Sequence, residues 1–375
     1  MLFGSKSTIK LGLKSKENFY FISKCLTLAL EVRNRKEIKK KLKSKSIDWN
    51  EIIKISTAHY VLPAFYYNLK KVDFLKHLPH DLVDYMKYII ELNKQRNKQI
   101  IEQARELNSI LLAKNIRPIF LKGTGNLLAD LYEDISERMV GDIDFILSET
   151  DYERAIKVLR KFGYCNVSKY KYHFPSQKHY RRLQKENYNA AVEIHKEFVG
   201  KKKYMSEFNY KFIVKDFKII NGFGVLSYAN KLNLSIIANQ INDNGFYYKT
   251  ISLRNAYDVF LLSKKTNVRD AVNTLRDLKY PLNCFLATCY EIFNRVDSLE
   301  YNNSKKIVSY LSLFNSQFTN KNWTKIRHKF IRTYLMLKSR LNILYNLTND
   351  KDYRNWLCDR LTSLSFYKRR LGIKK

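Results

Sequence analysis

The octapeptide VGDIDFIL, Val140 to Leu147, sets two aspartates one residue apart in a run that is otherwise apolar. Such a run reads as a β-strand, and in a strand alternate side chains share a face. Asp142 and Asp144 then point together, while Ile143 and Phe145 point the other way into a core. Carboxylates held that close raise one another's pKa unless a cation or hydrogen-bond donors intervene. The fold must therefore leave that face wet or bring compensating charge to it. A solvated pair on a half-exposed strand meets the first condition. A hard divalent ion meets the second, since Mg²⁺ takes one or two carboxylates together with phosphate oxygens.

The flanks of this strand differ from it in periodicity. Between residue 17 and about residue 114 the pattern is helical. Ile100, Ala104, Leu107 and Leu111 recur at steps of four, three and four within a long helix from Leu82 to Lys114, for which Asp81 is the expected N-cap. Upstream, STAHYVLPAFYYNLKK (Ser56 to Lys71) reads as a shorter helix with Pro63 near a boundary. From Ile116 to about Phe198 short apolar runs take over. RPIFL, VGDIDFIL, YCNVSKYKYHF, HYRRLQ and AAVEIHKEF read as strands, the last two as a hairpin around KENYN, and GNLLADLYE as a short helix. A further helix is expected after a capping box of Thr150 and Glu153, with Ala155, Ile156 and Leu159 on its apolar face and Gly163 at its left-handed end. Beyond Leu226 the period is helical again. The expectation is an α+β protein in three regions: an N-terminal helical region over 1–114, an α/β core over 115–225 and a C-terminal helical domain over 226–375.

Composition narrows the setting. Lys and Arg number 69 against 35 Asp and Glu, a net charge of +34, so much of the surface should attract anions such as nucleotides, RNA or lipid headgroups. A bias toward AT-rich codons, which also favours Lys, Asn, Ile and Tyr, produces the same excess without any partner. The five cysteines show no C-x-x-C pair or zinc spacing, which points to a reducing compartment. Lys24 interrupts the apolar N-terminal stretch, and no run reaches the ~18 apolar residues of a membrane span. A cytoplasmic location is expected.

Other residues extend the chemistry suggested by the aspartates. LKGTG (Leu121 to Gly125) follows a strand and opens a helix, where backbone N–H groups and the helix dipole can cradle a phosphate. Arg138 lies four residues before Asp142 and can neutralise a phosphate oxygen, and Glu193 is a lone acid in a third apolar strand. Each has a plainer reading, as a turn, a solvated charge and an edge-strand acid. His195 shares the face of Glu193 and is read as a group that holds the carboxylate rather than as a catalytic base. The Tyr- and Lys-rich segment Val167 to Gln184 could stack on a polynucleotide, and equally suits a half-buried antiparallel pair. The basic run Arg33 to Ser46 is read as a solvated helix end, with a nucleic-acid patch as the alternative.

The series LPHDLVDYMKYIIELNKQRNKQIIEQARELNSILLAKNIRPIFLKG, LYEDISERMVGDIDFIL, DYERAIKVLRKFGY and VEIH resembles the uncharacterised bacterial nucleotidyltransferase family of the DNA polymerase β-like superfamily. The resemblance runs from about Ser56 to Phe198 and, more loosely, through LRNAYDVFLL to about Leu262. It implies a minimal nucleotidyltransferase mixed sheet, with Gly123 and Thr124 in the phosphate turn and Lys122 and Arg138 supplying charge to the phosphates. Asp142 and Asp144 would be metal ligands, and Glu193 the third carboxylate, which helps activate an acceptor hydroxyl. The implied cofactor is Mg²⁺ or Mn²⁺, and the donor a nucleoside triphosphate (NTP). The acceptor, whether a protein hydroxyl, an RNA end or a small metabolite, is not identified. Two departures stand out. The turn reads Gly123-Thr124-Gly125 where the superfamily more often has Gly-Gly or Gly-Ser, and IIANQIND occupies the place of a His-containing helix. Two rivals share this sequence: an idle module of the same fold that binds RNA or a protein through its basic surface, and a kinase-like use of the same core.

Overall fold

The computed structural model describes residues 4–44, 46–167, 178–362 and 367, and side chains from residue 15 onward. Seven short strands are present: β1 (Ile119–Phe120), β2 (Asp142–Ile146), β3 (Cys165–Asn166), β4 (Leu183–Gln184), β5 (Ala191–His195), β6 (Lys218–Ile220) and β7 (Phe223–Val225). They form one mixed sheet in the order β3-β4-β5-β2-β1-β7-β6. The aspartate strand β2 lies near its centre, antiparallel to β1 and parallel to β5. A central position explains the apolar alternation: Ile143 and Phe145 are fully buried, with the Phe145 and Phe120 rings edge to face at 5.8 Å.

The expected hairpin forms, with β4 antiparallel to β5 and Leu183 opposite Val192. Of the expected strand YCNVSKYKYHF, Cys165–Asn166 is strand, while residues 168–177, with much of the Tyr- and Lys-rich segment, lie outside the described residues.

Helices cover the sheet on both flanks, giving an α+β architecture. The helix His80–Leu112 buries Ile100, Ala104, Leu107 and Leu111, as the spacing predicts. It begins two residues earlier than expected, with Pro79 as N-cap and Asp81 inside its first turn. The helix Glu149–Lys161 is capped by Ser148, which accepts from the Asp151 amide, rather than by Thr150. Thr150 already lies within the first turn, so its hydroxyl is past the N-cap position from which the N2 and N3 amides are reached. Gly163 takes the left-handed conformation expected of it, at φ +89°. The segment around Pro63 is split between two helices, Trp49–Ala58 and Leu62–Lys71, with Pro63 in the first turn of the second, where a missing N–H costs nothing.

The two helical flanks also meet each other. Asn34 donates to the Phe293 carbonyl at 3.2 Å and Arg33 to the Arg295 carbonyl at 2.7 Å, and one apolar cluster runs from Phe19 through the sheet to Phe314. The loop that leads into β2 is clamped by one face of the helix His80–Leu112. Asn93 donates to the Ser136 carbonyl at 2.7 Å, Asn97 to those of Ile135 and Arg138, and Arg96 to those of Val140 and Gly141. These side chains satisfy backbone carbonyls that no strand pairs, and so fix where β2 begins.

Candidate active site

Register brings the acids together. In the parallel β2–β5 pair Asp144 lies opposite Glu193, and Ile146 opposite His195, so Asp144, Glu193 and His195 share one face. All three are buried, and a ligand atom from each lies within 4.8 Å of the other two. His195 Nδ1 faces the Glu197 carbonyl at 3.2 Å, a contact that orients the ring. Nε2 then points at Asp144 Oδ1, 2.9 Å away, and at Glu193 Oε2, 3.6 Å away. An imidazole and two carboxylates converging in this way form a candidate donor set for a divalent cation.

Protein cations compensate the acids in the structure. Lys122 Nζ sits 2.5 Å from Asp144 Oδ1 and 3.8 Å from Glu193 Oε2. Arg182 bridges Glu193, at 2.7 Å through Nε, and Asp142, at 3.0 Å through a terminal nitrogen. Burial alone would push the Asp144 and Glu193 carboxyls up, but Lys122, His195 and, for Glu193, also His179 and Arg182 outweigh it and hold both below the ordinary range. Lys122 is pulled toward neutrality by burial and held charged by the same acids. Asp142 differs. It is half-buried, its main partner is Arg182, and burial with the neighbouring acids raises its pKa.

The LKGTG turn is the first turn of the short helix Lys122–Leu127. Lys122 adopts a left-handed backbone, φ +49°, an uncommon conformation for a residue with a side chain, and this orients its ammonium toward the acids. Gly125 is required by contact, since a Cβ there would lie 2.5 Å from the Phe120 carbonyl oxygen. Thr124 is fully buried and donates to the Asp142 carbonyl at 3.0 Å, so it ties the turn to β2 and leaves the facing surface to Gly123. Behind the turn, the buried Lys231 donates to the Gly125 carbonyl at 3.1 Å, and burial pushes its pKa down to about 7.

The opposite wall is helical. Arg138 is buried against Asp258, 2.9 and 3.1 Å from its two oxygens, and Tyr132 donates to the same carboxylate at 2.7 Å. Arg254, four residues before Asp258 on the helix Leu253–Ser263, lies 5.0 Å over the Tyr60 ring with its buried Nε unbonded. Lys178 forms no ion pair among the described residues. Burial lowers the pKa of both, helped by Arg138 for Arg254 and by Lys122 for Lys178, and outweighs the carboxylates nearby, Asp258 and Asp243 for the first and Asp144, Glu193 and Asp243 for the second. A π-helical turn, Ala238–Asn242, closes the wall in place of the regular helix read from IIANQIND, a distortion common at functional sites. Between the walls lies a cavity of about 440 Å³ that reaches Gly123, Asp142, Asp144, Glu193, Lys178 and Arg254.

Of the residues read from sequence, Lys122, Gly123, Arg138, Asp142, Asp144 and Glu193 all line this cavity, and Thr124 lies behind it. Sequence reasoning missed Arg182, Lys178, Arg254 and Asp258. Arg182 alone left a signal: extending the hairpin register by one residue sets it opposite Glu193, a cross-strand charge pair.

The model of the uncharacterised nucleotidyltransferase family matches residues 45–292, which takes in the whole sheet, the turn and both walls of the cavity. No curated protein and no solved structure matches the chain. With well over half its length under one family model, the chain belongs to the uncharacterised nucleotidyltransferase family.

Proposed function

We propose that the protein transfers a nucleoside monophosphate from an NTP to an acceptor hydroxyl, in a Mg²⁺- or Mn²⁺-dependent reaction of the DNA polymerase β-like kind. The observation that carries this reading is the convergence of Asp144, Glu193 and His195 on one buried point, beside a cavity that also receives Arg254 and Lys178, neither in an ion pair among the described residues. The donor set fits a hard divalent ion, with Asp142 at its open side. An ion held there would supply positive charge against the negative charge that builds on the phosphates during an in-line displacement.

The chain's own residues then have separate tasks. Asp142, Asp144, Glu193 and His195 would hold the ion, which would take over from Lys122 as the partner of the acids and leave its ammonium to the phosphates. Arg254 and Lys178 take the negative charge of the triphosphate tail, with Gly123 offering backbone without a side chain. Arg138, neutralised by Asp258, shapes the pocket from behind. The acceptor oxygen attacks the α-phosphorus, the bond to the β-phosphate oxygen breaks, and pyrophosphate leaves. The acceptor's proton passes to a carboxylate, for which Glu193 is the assigned group.

Incubation of the protein with each NTP, labelled at the α- or the γ-phosphate, with Mg²⁺ or Mn²⁺ and a cell extract as acceptor source, tests the proposal. Label retained from the α-position supports it. Transfer of γ-label favours the kinase-like alternative, and no transfer together with no NTP binding favours the idle module.

A further inference from the structure

The helix Lys321–Asn349 carries an apolar stripe that the described residues leave largely exposed. Trp323, Ile326, Phe330, Tyr334, Leu337 and Leu341 follow one another at steps of three or four, and their exposure ranges from 49% at Ile326 to 72% at Phe330. At about 100° per residue they fall, with Leu344 and Tyr345, within an arc of about 100°. A helix that merely filled space at the surface would turn polar residues outward. One edge of the stripe and the face beyond it hold the helix to the body: the Tyr334 ring lies 6.3 Å from that of Tyr247, Arg327 donates to the Tyr248 carbonyl at 2.9 Å and Lys202 to Asn346 at 3.4 Å, and Asn346 is the buried residue of the helix.

The charge around the stripe has one sign. No Asp or Glu occurs between Glu300 and Asp350. Lys338 borders the stripe on one side and Lys329 and Arg340 on the other, all exposed and none in an ion pair among the described residues. Two copies of the helix laid stripe to stripe would set these cations against each other, which argues against a second copy as the cover. A bilayer with anionic headgroups suits both features. Aromatic rings settle at the headgroup level, long basic side chains reach up to phosphates, and leucines enter the acyl boundary. At 29 residues the helix can lie along such a surface for about 43 Å, and no helix of the described residues is apolar enough to cross it.

We infer that the helix Lys321–Asn349 docks the protein peripherally on an anionic lipid surface. The helix lies beyond residue 292, where the family match ends, so the docking element is separate from the nucleotidyltransferase unit. The inference stands whether or not the proposed transfer reaction is correct.

Vesicle co-sedimentation tests it with the full chain. Wild type is mixed with vesicles of phosphatidylcholine alone or with about a third phosphatidylglycerol, at low and high salt, while tryptophan emission is followed. Binding to the anionic vesicles only, weakened by salt, with a blue shift that disappears in Trp323→Phe, is the expected result. The double variant Phe330→Glu/Leu341→Glu, both sites exposed and therefore harmless to folding, should lose that binding while keeping wild-type circular dichroism and wild-type NTP binding. The inference is overturned by equal or no sedimentation with the two lipids. It is overturned equally by a dimer in sedimentation velocity that the double variant abolishes, or by binding to anionic vesicles that survives in the double variant.

Discussion

The two walls of the cavity treat charge in opposite ways. On the strand wall, Asp142, Asp144 and Glu193 are matched by Lys122, Arg182 and His195 at hydrogen-bonding distance. On the helical wall, Arg138 and Tyr132 share Asp258, while Arg254 forms no ion pair among the described residues; Lys178, which also lacks one, enters the cavity from the segment beside the end of β5. Structural ion pairs such as Arg138–Asp258 are closed: burying them without each other is costly, so each fixes the other. The strand wall holds replaceable cations, and the helical wall leaves Arg254 without an ion pair among the described residues. Such a cavity suits a ligand that brings a divalent cation to one side and polyanion charge to the other.

The sharpest break of that comparison is Asp144→Asn, which should reduce transfer to background and abolish metal-dependent NTP binding. It should also destabilise the apo protein by about 3 kcal/mol, because Lys122 and His195 lose a buried charge partner. Reasoning from two bare carboxylates would have predicted a slight gain from relieved repulsion, and a thermal melt distinguishes the two. Next in size is the contrast within the helical wall. Arg138→Met should cost roughly 3–5 kcal/mol of stability by stranding Asp258. Arg254→Met should leave the melting temperature near wild type and raise the NTP dissociation constant roughly ten- to a hundredfold, as expected for one charge-assisted contact.

A smaller effect concerns the turn. Gly125→Ala should destabilise by about 1–3 kcal/mol, since the added methyl meets backbone at Phe120 and neither element can withdraw without disturbing the sheet. A further contrast is one of pH. Lys231 has a folded-state pKa of about 7, below its ordinary value of 10.5, so between those limits the unfolded chain binds the proton and the folded one does not. Stability from this group therefore rises as pH goes from 7 toward 10.5, and is absent below 7. Urea midpoints across that range should climb less steeply in Lys231→Met than in wild type.

The fold was legible where pattern is local. The alternation in GDIDFI, the spacing along the helix His80–Leu112 and the left-handed Gly163 each follow from neighbours in sequence, and each appears where expected. Caps were legible only to within two residues, because Ser148 and Thr150 are both good N-cap residues and only backbone geometry chooses between them. The site was legible as a set of residue types and much less as a set of partners. Asp144 meets Glu193 through a parallel pairing, whose register no turn dictates. Arg138 meets Asp258 across the boundary between the sheet and the C-terminal helices, a distance in sequence over which periodicity carries no information. Lys122 reaches the acids through a positive φ that a propensity reading assigns to glycine.

The central claim is that the cavity binds a nucleoside triphosphate through a divalent ion held by Asp144, Glu193 and His195. Calorimetric titration of the wild-type protein with an NTP, once with Mg²⁺ and once with excess chelator, tests it most directly. Because a triphosphate approaching the acid face without a cation is repelled, the account predicts saturable binding with Mg²⁺ and little or none with chelator. Equal affinity in the two titrations would contradict it.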